Sequence, residues 1–128
     1  DTHFKMPMWK LLRERLQSHA NTRSYMFTWT SPIFDGVLGA SHGLDIPFIF
    51  NNVESERVHV YTRNDSSAPE LALAMSQELL TFGRSGRPNW APYDLNSRTI
   101  KIFNVPESTS HSADLSPNSE IYDFWMNS

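Results

Sequence analysis

The chain has 128 residues, with 11 basic against 14 acidic side chains and a net charge of −3. That length suits one domain, and the acidic balance argues against a generic nucleic-acid binder or electrostatic docking on an anionic membrane. Hydrophobic residues at 39% and aromatics at 12% are enough for a core, while the lack of cysteine excludes disulfides, thiolate zinc sites, Fe–S clusters and cysteine nucleophiles.

The absence of cysteine also fits a reducing compartment. Apolar runs such as Ile46-Pro47-Phe48-Ile49-Phe50 fall far short of the roughly 20 residues of a membrane span. Asp1-Thr2-His3-Phe4-Lys5 lacks the basic start and apolar stretch of a signal peptide. The chain opens without methionine, which fits either a trimmed chain or one whose N-terminal side is missing.

Met6 to Ala20 reads as an amphipathic helix. Pro7 sits near its start, where a missing N–H costs little, and Trp9, Leu12 and Leu16 recur on one face. Ser24 to Trp29 is rich in aromatics and reads as a buried strand. Thr30 to Gly43, with Pro32, Gly36, Gly39 and Gly43, reads as a loop. Asp45 to Asn52 follows as a compact apolar turn. Val58-His59-Val60-Tyr61 fits a short strand or an extended loop.

Ser67-Ala68-Pro69-Glu70 carries a helix-start signal: Ser67 as cap, Pro69 in the first turn, Glu70 closing a capping box. Leu71, Met75, Leu79 and Phe82 continue as one stripe, and Gly83 or Gly86 ends the helix. Arg87 to Tyr93 holds two prolines and no regular structure. Arg98 to Phe103 alternates, with Ile100 and Ile102 on one face of a strand. Asn104 to Asn118 is a polar loop, and Ser116-Pro117 opens a last helix bearing Ile121, Phe124 and Trp125. The sum is α/β. The strands are too few and too far apart for a self-sufficient sheet, so they read as the end of a larger one.

The densest cluster is Gly39-Ala40-Ser41-His42-Gly43-Leu44-Asp45. Its first five residues match G-x-S-x-G, the nucleophile elbow of α/β-hydrolases, and make Ser41 a nucleophile candidate. The elbow also needs a strand entering the first glycine and a helix leaving the last. Asp35-Gly36-Val37-Leu38 before the motif and Pro47 after it supply neither.

A wider pattern covers most of the chain. Tyr25 to Pro32, then Leu38 to Phe50, resemble the C-terminal part of type-B carboxylesterases and cholinesterase-like lipases. Asp1 to Pro7 resembles the segment before that family's penultimate core helix. Leu73 to Ser76, leading through Phe82-Gly83-Arg84-Ser85-Gly86-Arg87-Pro88-Asn89-Trp90, resembles the helix and turn after the catalytic histidine. Ile121 to Trp125 resembles the terminal helix. Several motifs in one order are more specific than a single five-residue pattern.

The resemblance implies the C-terminal portion of an α/β-hydrolase fold over residues 1–128, with the upstream part absent. It implies that His42 is the triad histidine and Ser41 an ordinary position beside it. An imidazole, titrating at about 6.5, is suited to taking the serine proton and returning it to the leaving alcohol. In these hydrolases the chain order is serine, acid, histidine. The implied partners are therefore an ester substrate and an upstream segment carrying nucleophile and acid. No metal, cofactor, nucleic acid or membrane span is implied. The isolated chain is expected to be inactive, since losing the serine of a triad costs on the order of a millionfold in kcat.

Two rival readings stand beside this one: a non-catalytic cholinesterase-like adhesion module, and a small stand-alone hydrolase using Ser41. His3, His19, His59 and His111 show no metal-ligand spacing and read as surface or helix-end residues. Asp45 is expected to orient the loop by accepting backbone N–H bonds. Ile33, Phe34, Val37 and Leu44 flank His42 and fit either a substrate pocket or core packing. Trp90 and Trp125 read as core anchors. Asn64-Asp65-Ser66 is a glycosylation sequon, meaningful only in a secreted eukaryotic protein. If the chain is a fragment, the Tyr25–Trp29 strand and the Leu71–Phe82 stripe should lack burial partners and expose an apolar patch.

Overall fold

The computed structural model describes residues 4–18 and 21–104. The fold is mixed α/β, with helices and a small two-stranded parallel sheet. It divides into two compact units, one around residues 4–18, 21–24 and 91–100, the other around 25–90 and 101–104. Among the described residues no helix is long and apolar enough to cross a membrane.

The first unit holds helix α1, Lys5–Ser18. Met6 and Leu12 are its buried residues, with Trp9 and Leu16 half-buried on the same face. The spacing of three and four therefore selects the buried stripe. Tyr93 donates its backbone N–H to the Thr22 carbonyl at 2.8 Å. A tight turn follows, in which the Asp94 carboxylate accepts the N–H groups of Asn96 and Ser97, both at 2.8 Å. The Ser97 hydroxyl, first, and those two N–H groups lower the pKa of Asp94 from its ordinary value.

The second unit contains β1 (Tyr25–Phe27), a 3-10 turn (Ile33–Gly36), α2 (Ile46–Ile49), α3 (Glu56–Thr62), α4 (Ser67–Ser85) and β2 (Lys101–Phe103). Strands β1 and β2 pair in parallel, Tyr25 opposite Lys101 and Phe27 opposite Phe103. The strand is shorter than the expected Ser24–Trp29 run and only half-buried. Burial instead peaks just past it, at Trp29.

The core gathers Trp29, Leu44, Phe48, Val53, Ala68, Leu71, Ala72, Met75 and Phe103. The Phe48 ring lies 5.0 Å from Trp29 and 4.9 Å from Phe27, centroid to centroid. The rings are tilted by 59° and 50° to one another, and aromatic contacts at such separations add to the energy of area burial. Trp90 meets Phe103 edge-on at 6.0 Å, in keeping with its reading as an anchor.

Two expectations need correction, and one alternative is decided. Val58 to Tyr61 is neither strand nor extended loop but the body of α3. The β-branched residues suggested extension, yet Ser55 enters in an extended conformation, Glu56 favours the first turn, and Arg63 closes the helix at φ 45°. The cap of α4 is not Ser67. Asp65 accepts both the Ser67 N–H, at 2.9 Å, and the Ser67 hydroxyl, at 2.6 Å. Its carboxylate satisfies an N-terminal donor that the helix leaves open. Of the two glycines expected as the stop, Gly86 ends the helix, at φ 68°.

The predicted stripe on α4 is divided. Leu71 and Met75 are buried with Ala68 and Ala72, whereas Leu79, Leu80 and Phe82 in the last turns are exposed. Among the described residues, the apolar side chains at the start of the helix are thus buried in the core and those of its last turns stay exposed. The helix expected from Ser116 lies outside the described residues.

Candidate functional site

The segment from Trp29 to Phe48 is rooted at both ends in the core. Trp29 donates its indole N–H to the Ser67 hydroxyl at 3.0 Å, and Ser67 in turn donates to Asp65. This chain of bonds fixes the end of β1 to the start of α4. Phe48, fully buried at 0% exposure, anchors the other end.

Between the anchors the backbone makes two turns. Ser31 is buried, donates its hydroxyl to the Tyr61 carbonyl at 2.7 Å and accepts the Ile33 N–H at 3.3 Å. Its own N–H reaches the Gly39 carbonyl at 3.3 Å, closing the neck of a loop over residues 31–39. Within that loop Phe34 (φ 51°, ψ 43°) and Asp35 (φ 55°, ψ 36°) are both left-handed. Each such non-glycine residue costs of order 1–2 kcal/mol.

The second turn carries His42. The Leu44 N–H donates to the Ser41 carbonyl at 3.1 Å, so Ser41 to Leu44 form a four-residue turn. Gly43, third in it, has φ 78°, the region that turns of type II reserve for glycine. Gly39 enters the segment at φ 61°. These two glycines supply left-handed conformations that other residues adopt at a penalty. His42 is exposed at the apex, with half-buried Ser41 before it and buried Leu44 after it.

Asp45 does not serve as expected. Its carboxylate accepts the Tyr25 hydroxyl at 3.2 Å, while its backbone carbonyl receives Phe48 and Ile49. Burial first, then the Asp45 charge and hydrogen bond, push the Tyr25 pKa up to about 12. This pair ties β1 to the turn behind His42. It was missed because the partners lie twenty positions apart and Tyr25 read as part of a buried strand.

Ser41 lacks the setting of a nucleophile elbow. A 3-10 turn, not a strand, leads toward Gly39, and α2 begins only at Ile46. The four flanking apolar residues divide. Ile33 and Leu44 are buried, which makes them packing residues, whereas Phe34 is 70% and Val37 85% exposed. His59 lies on α3 and bonds the Asn64 side chain. His3, His19 and His111 lie outside the described residues.

Described residues of the second unit line two recesses. One, of about 240 Å³, lies between α4 and β2 and includes Glu70, Gln77, Glu78, Lys101 and Asn104. The other, of about 310 Å³, includes Glu54, His59, Thr62 and Asp65. His42 lines neither. Among the described residues no three His, Cys, Asp or Glu side chains cluster as a metal-ligand set. No known family model matches the chain.

Proposed function

We infer that the chain is the C-terminal part of a type-B carboxylesterase-like serine hydrolase of the α/β-hydrolase fold. In this reading it supplies His42 as general base and acid for ester hydrolysis through an acyl-enzyme. The observation that carries the reading is the setting of His42. It stands exposed at the apex of a turn shaped by glycines at positive φ, between two anchors sunk in an aromatic core. A proton shuttle needs both access to the reacting atoms and a fixed backbone. The order of motifs from Tyr25 to Trp90, which resembles that family, supports the family and the role.

The imidazole takes the proton of an upstream serine as its oxygen attacks the ester carbonyl. It returns that proton to the departing alcohol. It then takes a proton from the water that attacks the acyl carbon and gives it to the serine oxygen as the acid leaves. The oxyanion donors, the nucleophile and the triad acid belong to the upstream segment. Tyr25–Asp45 holds the histidine turn to the sheet and takes no part in proton transfer.

The test uses the full-length gene product with p-nitrophenyl acetate as substrate. His42→Gln should lower kcat by at least a thousandfold with the fold intact by circular dichroism, a scale typical of triad members. Unchanged kcat would remove His42 from the chemistry. An inactive full-length protein with His42 in place would favour an adhesion module instead.

A further inference from the structure

We propose that the recess at the corner between α3 and α4 binds a small aliphatic amine in its protonated form. The proposal goes beyond the esterase reading and does not rest on it. The recess measures about 310 Å³, at the lower end of the range for small-molecule sites. Glu54 and Asp65 line it, and no lysine or arginine does. The other ionisable group there, His59, has its ring bonded to the Asn64 side chain. The lining therefore favours a cation.

The observation that carries the proposal is Thr62. It lines the recess, is only 3% exposed, and its hydroxyl makes no hydrogen bond to any described residue. Buried hydroxyls are nearly always paired, so an orphaned one at a polar recess marks the place of a ligand group. Asp65 offers a second acceptor beside it, because both bonds from Ser67 fall on Oδ1 and leave Oδ2 open. A primary ammonium carries three N–H donors, one each for Glu54, Oδ2 of Asp65 and the Thr62 hydroxyl. Val53 and Pro69 line the same recess and suit a short methylene chain. Among the described residues no three His, Cys, Asp or Glu side chains gather as a metal-ligand set, so an organic cation fits this lining better than a metal ion. The corner is also fixed in place. Arg63 donates its backbone N–H to the His59 carbonyl at 2.9 Å, Asp65 to Thr62 at 2.8 Å and Ala68 to Asp65 at 3.1 Å. A preformed site loses little freedom on binding.

Isothermal titration calorimetry of the full-length protein with 1,4-diaminobutane at neutral pH tests the proposal. One saturable site is expected. Thr62→Val, which keeps the shape and removes the hydroxyl, should weaken binding at least about fivefold, and Glu54→Gln at least about tenfold. Glu54 is exposed, so its variant reads the site even where Thr62→Val fails to fold. Glu78→Gln, on the other recess, should leave the affinity unchanged, and uncharged 1,4-butanediol should not bind. No saturable binding below about 10 mM, or wild-type affinity in Glu54→Gln and in folded Thr62→Val, overturns the proposal and leaves the esterase reading intact.

Discussion

The Tyr25 hydroxyl donates to the Asp45 carboxylate at 3.2 Å, and this bond joins the first strand to the turn that carries His42. Its pH dependence has a definite sign. The folded-state pKa of Tyr25 is raised from 10.0 to about 12, so the fold favours the protonated phenol. The resulting stability is fully present below pH 10 and is lost as the pH rises toward 12.

Tyr25→Phe should therefore cost stability at pH 8, by no more than about 1 kcal/mol because the ring is partly exposed and solvent screens the pair. The gap between wild type and variant should shrink from pH 10 upward. Urea unfolding at pH 8, 10 and 11 checks this. A gap that widens with pH would contradict the assignment.

Phe48 is the central contact of the aromatic cluster, fully buried between Phe27 and Trp29. Phe48→Ala should cost about 3–5 kcal/mol, a large share of the stability of a small domain. Phe34→Ala, at an exposed ring, should fall within about 0.5 kcal/mol of wild type. Thermal melting of both variants reads the contrast directly.

At Gly43 the cost of a side chain is conformational rather than steric. A Cβ there would meet only the Ile46 methyl at 3.8 Å, an ordinary contact, but the residue sits at φ 78°. Gly43→Ala should destabilise by about 1–2 kcal/mol. Gly83→Ala is the control, since that glycine lies inside α4 with open space around its Cβ position. It should stabilise by up to about 1 kcal/mol.

The cap of α4 separates Asp65 from its neighbour. Asp65 accepts two bonds from Ser67, whereas the side chain of Ser66, at the formal cap position, makes no capping bond. Asp65→Ala should lower stability by about 1 kcal/mol, and Ser66→Ala by a few tenths at most. Equal losses would place the cap elsewhere.

Helix α4 was legible because a Pro-containing start, an apolar stripe and a terminal glycine all agreed. Helix α3 was not. Its run of Val58, Val60 and Tyr61 has strand-like composition, and the helix forms because Arg63 closes its C-terminal end in a left-handed conformation and Val58 packs against the core. The pairing of β1 with β2 was hidden in sequence, since Tyr25 and Lys101 are partners across most of the chain. The glycine-flanked histidine was legible as a loop feature. What divided its apolar neighbours into buried and projecting sets was the left-handed turn at Phe34 and Asp35, which non-glycine residues do not announce. Tyr25–Asp45 required the tertiary fold.

The central claim is that this chain supplies a histidine and not the nucleophile. Intact-mass analysis of the purified 128-residue chain after exposure to a fluorophosphonate serine-hydrolase probe tests it most directly. The account predicts no adduct. A single stoichiometric adduct on Ser41 would contradict it and make the chain a serine hydrolase in its own right.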